Sequence, residues 1–526
     1  MVAASELPIN ESASAVQMAN EIFGNGAVVI GASYQGWSQS SGIYSNGDSV
    51  APGATPGDTG VILSTGRASS YTNSNGSSNQ SNSVSTNTPG VNNDAQFNAL
   101  AGTNTYDAAI LNVDFIPTGD TLSMQFIYAS EEYPEFVNSI YQDLVGVWVN
   151  GAPVSLAVGD GQADISNISA VNNLNLYQDN TTDDFNTEMD GFTVTLTLTL
   201  NVNPGVVNSI RIGVADVADS SYDSNLLIAG GSIQSDVLAY DDAFDVVQNG
   251  TPTLDVLAND EDANGGVLTI THINGQAVNA GDTVTLATGQ QITLNADGTF
   301  GVVNDDNVED VSFTYAVENA AGVSDTAFVT LNTIPCFVAG SMVDTPSGPR
   351  AVETLEPGDM VLTKDAGPQP LRWIGTRTVE ATGDVAPIRI SAGAFGKHGA
   401  LSVSPQHRVL IADDMAEILF GSDEVLVAAK DLINDQTVRR DTSCAQVTYV
   451  HILFDAHQVV FSDGLATESF LPGPQSLQSF DRDVIHEICT LFPDIDPVTG
   501  LGYGGAARTA LKGYEAQLLL SQGHAA

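Results

Sequence analysis

The sequence predicts a mainly β chain of several domains that ends in a short helical tail. Three observations carry that reading. Short Val, Ile, Thr and Phe runs alternate with Gly, Asn and Asp turns over most of the chain. Its 526 residues exceed what one hydrophobic core normally fills. The charge is also unevenly placed. Residues 1–335 hold 39 acids against only Arg67 and Arg211, which gives −37. Residues 336–526 hold 24 acids against 13 cations, which gives −11. Composition and motif shifts divide the chain into 1–235, 236–334, 335–475 and 476–526.

In the first segment, strands are expected at Ala27–Gly31, Ala108–Phe115, Leu122–Ala129, Val145–Val149, Phe192–Val202 and Ser209–Val214. Thr193 to Leu200 alternates strictly, as a strand with one buried and one wet face does. A helix is expected over Ser12–Phe23, where Ala15, Val16, Ala19, Ile22 and Phe23 recur at helical spacing and Asn10 and Ser12 offer caps. Residues 68–94 are rich in Ser, Asn, Thr and Gly, so a long loop or a disordered insert is expected there.

The first segment also contains Phe126-Ile127-Tyr128-Ala129-Ser130-Glu131-Glu132-Tyr133-Pro134-Glu135-Phe136, then Asp190-Gly191-Phe192-Thr193, then Ala215-Asp216-Val217-Ala218-Asp219 followed by Tyr222-Asp223. Together these resemble the choice-of-anchor L domain, a β-sandwich-like module of bacterial surface and secreted proteins. The resemblance spans most of residues 10–235. Glu131, Asp216, Asp219 and Asp223 carry the hard oxygen donors that Ca²⁺ prefers; solvated turn acids are the plainer reading. Adjacent Glu131 and Glu132 on a strand face opposite ways, so at most one joins a given site unless a bulge intervenes. No His/Cys set is present for zinc.

Residues 236–334 have the size of a small sandwich. Asp297-Gly298 marks a hairpin. Val256-Leu257-Ala258-Asn259-Asp260-Glu261-Asp262 resembles a motif of bacterial cadherin-like and Ig-like modules of large adhesins. Asp241, Asp242, Asn259, Asp260 and Asp262 are candidate Ca²⁺ ligands at a domain junction, with an acidic surface loop as the alternative. A single copy suggests a spacer rather than a long stalk.

Cys336 stands at the charge boundary, in Ile334-Pro335-Cys336-Phe337-Val338-Ala339-Gly340-Ser341. Ser404-Pro405-Gln406-His407 follows, then the segment 449–469 with His451 and His457. This order resembles the Hint (hedgehog/intein) family over roughly Pro335 to Gly473, an all-β, horseshoe-like fold. The resemblance implies that Cys336 attacks the carbonyl of Pro335 and converts the peptide into a thioester. Such chemistry needs an activated thiol and a proton for the leaving nitrogen. By the resemblance, His407 supplies that proton and Ser404 polarises or orients the scissile carbonyl. His457 matches a later histidine, and Asp455 stands two residues before it. His451 lies in the alternating stretch 447–460 and reads as a strand-surface residue. His398 and His486 read as structural, and Cys444 and Cys489 as plain thiols.

Where inteins close with His-Asn, this chain has Glu468-Ser469. The resemblance thus implies hydrolysis or acyl transfer at one bond rather than splicing. Nothing after Ser469 resembles a sterol-recruiting region. The tail is expected to form helices over Ser479–Leu491 and Ala506–Ser521 that pack on this domain.

Three cysteines, none before Cys336, exclude a disulfide framework. The acidity excludes nucleic acid and anionic membranes as partners. No apolar run is long enough to span a membrane, and no classical signal peptide opens the sequence. The expected setting is extracellular or cell-surface, reached by another route, with a cell-surface, glycan or matrix partner. No small-molecule enzyme motif is present.

Overall fold

The structure, a computed structural model, describes the chain except residues 1, 138, 155–156, 159–160, 163–166, 171, 247–251, 304–310, 334–335, 381–385, 435, 442, 444, 472–490, 493–502, 504, 512 and 523–526. Cys444, Cys489, His486, Pro335 and nearly all of the expected Ser479–Leu491 helix lie outside the described residues.

The N-terminal unit packs two sheets face to face. One runs in the order Ile9–Asn10, Ser41–Tyr44, Gly60–Ser64, Ser224–Ala229, Thr121–Ser130, Gly191–Thr193 and Tyr177–Asp179, with Leu196–Asn201 also paired to Thr121–Ser130. The other runs Ala27–Gln35, Thr105–Pro117, Asn208–Val217, Leu144–Val149 and Ala152–Pro153. Alternate residues of both sheets, such as Phe126, Tyr128, Leu111, Phe115, Ile212 and Leu226, form the core between them. A second apolar cluster, with Tyr44, Tyr71, Ile127 and Phe192, covers the outer face of the first sheet. The expected run Phe192–Val202 breaks at Val194-Thr195 into two strands. The helix is shorter than expected, Ala15–Ile22, and its cap is Ser14, which forms a capping box with Gln17.

Residues 68–94 are irregular but anchored, contrary to the disordered alternative. Low apolar content is offset by polar anchors. Gln80 N–H donates to Glu188 (3.1 Å), Thr86 N–H to Asp223 (2.6 Å) and Thr88 N–H to Asp107 (2.9 Å).

The second unit is a small sandwich. Asp242–Val246, Ser324–Thr333, Val311–Glu318, Thr269–Ile273 and Gln276–Ala277 form one sheet, with its first pair parallel. Thr253–Leu254, Phe300–Val303, Gln291–Leu294 and Thr283–Thr285 form the other. The turn at Asp297-Gly298 joins Gln291–Leu294 to Phe300–Val303, with Gly298 at φ 87°. This unit is docked on the first, which a mere spacer would not be. Phe328 packs into the N-terminal core. Asn175 bonds Thr288 and Ser312, and Gln125 and Thr197 bond buried Asp325.

The C-terminal unit again has two sheets. The first runs Trp373–Glu380, Gln446–Leu453, Phe337–Val338, Leu401–Val403, Ile388–Ile390 and Val438–Arg440. The second includes Met342–Val343, Val459–Ser462, Leu465–Glu468, Arg408–Ala412 and Glu424–Ala428. In the tail, Thr509–Ala510 is not helical but adds a parallel strand to Glu424–Ala428. The helix starts later, at Gly513–Gln522, and its Ala516 and Leu519 enter the core with Leu511.

Candidate functional site around Cys336

The short strand Phe337–Val338 lies between two antiparallel neighbours. Phe337 faces Val403 on one side and Val450 on the other. One residue earlier, the same registers place Cys336 opposite Ser404 and opposite His451. The contacts follow from that placement. Ser404 N–H donates to Cys336 O at 2.9 Å. Cys336 N–H donates to Ser404 Oγ at 2.7 Å. The side chain of Ser404 thus takes the place of a ladder carbonyl, at the nitrogen that would leave if the preceding peptide broke. The resemblance led us to expect it at the carbonyl instead; the described contact is to the nitrogen.

On the other side, Cys336 Sγ lies 3.4 Å from His451 Nε2. His451 is buried, not on a strand surface. It shares its strand face with Val447 and Tyr449, which pack against Cys336. Sequence reasoning missed this histidine. The signal was parity: residues 447, 449 and 451 all point to one side, and the first two are apolar. The thiol itself is buried, so it is shielded from bulk oxidants.

His407 is also buried, and its ring meets Phe337 edge-on at 4.4 Å. Neither ring nitrogen has a hydrogen-bond partner among the described residues. Burial holds its pKa down at about 4, against an opposing pull from Glu468. The ring is therefore neutral at pH 7. Its backbone closes the turn with Ser404, through His407 N–H to Ser404 O at 3.1 Å.

The other expected residues do not join Cys336 among the described contacts. His457 Nε2 donates to Ser469 O at 3.0 Å, and its Nδ1 accepts from Ala507 N–H at 3.0 Å. Both nitrogens are committed to structure, and burial lowers its pKa. Asp455 sits at the surface, paired with Arg372 at 3.1 Å rather than with His457. Glu468 is buried and accepts from Arg408 N–H and Nη1, at 2.8 and 3.2 Å. No Asn is placed there to cyclise. His398 is structural, accepting from Phe395 N–H at 3.0 Å.

The candidate cation ligands separate into several places. Glu131, Asp216 and Asp223 are buried, whereas Asp219 caps a turn by accepting from Ser221 N–H. Glu131 and Glu132 face different neighbours, Asp190 for the first and Asp143 for the second. In the second unit, Tyr315 Oη reaches Asp242 and Asp260 at 3.0–3.1 Å. Asp241 accepts from Phe328 N–H, Asn259 donates to Tyr240 O, and Asp262 caps its own turn through Asn264 N–H. Among the described residues, no three His, Cys, Asp or Glu side chains are already gathered about one point as metal ligands.

Comparison with known proteins agrees with this division. A Hint domain family matches residues 335–474, a Choice-of-anchor L domain family residues 8–234, and a Bacterial Ig domain family residues 234–332. Among solved structures, the chain is similar to the MchDnaB-1 intein at 11% identity, over 25% of this chain and 98% of that one, with a TM-score of 0.18. It is similar to human CDH23 EC21-23 at 15% identity, over 48% and 90%, with a TM-score of 0.14. It is also similar to the M60 catalytic domain with CBM51-1 and CBM51-2 domains of Clostridium perfringens ZmpB, at 9% identity over 70% and 35%, with a TM-score of 0.13. No curated protein matches the chain.

Proposed function

We propose that this chain, which joins a choice-of-anchor L domain, a bacterial Ig domain and a Hint domain, breaks its own Pro335–Cys336 peptide bond. The observation that carries the reading is the two-sided grip on Cys336. Its thiol meets an imidazole, and its peptide nitrogen is held by a hydroxyl.

In the proposed sequence, His451 takes the proton from Sγ. The thiolate then attacks the Pro335 carbonyl carbon, and the carbon–nitrogen bond breaks to give a thioester. The departing nitrogen must gain one proton, so that the proton lost by sulfur is balanced. His451, which holds the proton from sulfur, returns it to the departing nitrogen, while Ser404 Oγ holds that nitrogen in place by accepting from its N–H. Water or an external nucleophile then takes the acyl group from sulfur and restores the thiol. Glu468-Ser469 supplies no cyclising amide, so one bond breaks and splicing does not follow.

The acidic first two domains are the released or transferred product. A choice-of-anchor L domain fits a surface or extracellular setting, and no described helix is long and apolar enough to cross a membrane. The product's partner is then a surface, glycan or matrix component.

Intact mass and denaturing gels on purified protein test the reading. The parent should yield a fragment ending at Pro335, faster with thiol or hydroxylamine. Cys336→Ala should stay whole. His451→Gln should cleave about 10²- to 10⁴-fold more slowly, and Asp455→Asn at the parent rate. A parent chain that stays full length under all these conditions rules the reading out.

A further inference from the structure

The acids of the N-terminal domain form a pattern that processing does not use. Ser130 pairs with Gly191 on one side and with Ser224 on the other. One residue further, the same registers place Glu131 between Asp190 and Asp223, and Glu131 N–H donates to Asp223 O at 3.2 Å. Three carboxylates therefore stand in a row across three adjacent strand ends, on one face. Like charges directly opposite one another destabilise a sheet. All three side chains are buried.

Their hydrogen bonding is incomplete in a regular way. One oxygen of Asp190 accepts from Asn79 (2.6 Å), and one oxygen of Asp223 from Thr86 N–H (2.6 Å). The second oxygen of each has no partner, and among the described residues the carboxyl of fully buried Glu131 meets only the Val84 backbone, too loosely for a close hydrogen bond. Nearby Glu188 repeats the pattern, with one oxygen on Gln80 N–H and the other unpartnered. Among the described residues no Lys or Arg pairs with them. The two such side chains before residue 336, Arg67 and Arg211, pair with Glu11 and Asp94.

We propose that the Asp190–Glu131–Asp223 row is a divalent-cation site, and that its all-oxygen donor set selects calcium. Neighbouring strands lie about 5 Å apart, so side-chain rotation brings the carboxylates they carry onto one ion. Calcium accepts such a loose arrangement of six to eight oxygens, whereas magnesium demands a tighter octahedron. Asn79 Oδ1, also buried and unpartnered beside Asp190, is a neutral fifth donor alongside Glu188. Burial, reinforced by Asp190, pushes Glu131 up to about 9, and burial pushes Asp190 and Asp223 to about 6. Amides of the loop 68–94 occupy one oxygen each of Asp190, Asp223 and Glu188 and leave the other for the metal.

The test uses the full-length Cys336→Ala chain, so its outcome is independent of processing. Chelator-treated protein is titrated with CaCl₂ by calorimetry and followed by thermal unfolding, with MgCl₂ as comparison. Calcium should bind saturably and raise Tm by about 5 °C or more at saturation, and magnesium should do less. Glu131→Gln should weaken the response at least about tenfold, yet unfold no earlier than its parent without calcium, since it removes one of three opposed acids. Asp223→Asn should lose the same binding and serves if Glu131→Gln folds poorly. Absence of saturable binding up to about 10 mM, beyond the weak extracellular range, overturns the proposal. So does a full calcium response in both variants.

Discussion

His407 shows how a buried side chain can be tuned and also be a liability. Its unfolded pKa is near 6.5, and burial lowers the folded value to about 4. Between those values the unfolded chain binds a proton that the native chain refuses. Stability is therefore lost as pH falls from about 6.5 to about 4, by about 3 kcal/mol. Glu468, Arg408 and His457 face the ring, and only Glu468 opposes the shift. In the Cys336→Ala background, His407→Leu should remove this loss, so that the gap in stability between the two chains changes by about 3 kcal/mol between pH 7 and pH 4. Urea unfolding at both values measures it, and a constant gap would count against a neutral buried imidazole. At this scale the sequence was partly legible. Cys336, Ser404 and His407 sit in short motifs that carry their chemistry locally. His451 has no motif, and its proposed role comes from facing Cys336 across a strand pair 115 residues apart.

At the scale of the element, the strand Trp373–Glu380 decides how firmly His451 is held. Gly375 is paired with His451, and a Cβ at Gly375 would overlap the Trp373 ring two residues back on the same face. Trp373 packs near Phe470 at 6.5 Å, and Phe470 meets the His451 ring at 5.7 Å. Gly375→Ala should therefore cost about 1–3 kcal/mol by overpacking. It should also slow cleavage about tenfold or more without touching a reacting group, because small misplacements are costly to a proton transfer. Single-turnover cleavage with a parallel melting curve separates the two effects. A stable variant that cleaves at the parent rate would remove the aromatic chain from the argument. Strand positions were readable from alternation, as in Leu196–Asn201. Their pairing was not, and pairing is what assembles the carboxylate row. Glu131 and Asp223 looked like ligands in the sequence, but Asp190 joins them only through the registers at Ser130.

At the scale of the whole molecule, the first two domains act as one packed body. Burial of Phe328 in the core of its neighbour is the main apolar contribution. Polar groups fix the orientation: Asp325 accepts from Ala239 N–H, Thr326 N–H, Gln125 and Thr197. A sequence with one Ig-like copy reads as a spacer, because docking depends on which face of the Ser324–Thr333 strand meets a partner, and alternation marks both faces as buried. Removing the Phe328 ring should cost about 3–5 kcal/mol. If the domains are coupled, the cost falls on both. In hydrogen exchange of the Cys336→Ala chain, Phe328→Ala should lower protection in Thr121–Ser130 of the first domain and in Val311–Glu318 of the second by similar factors. Loss confined to Val311–Glu318 would mean that the second domain rests on the first without sharing its stability. A coupled pair is the arrangement that suits a processed product. Under the proposed cleavage, the last described strand of the product, Ser324–Thr333, stays pinned to the N-terminal core through Asp325 and Phe328.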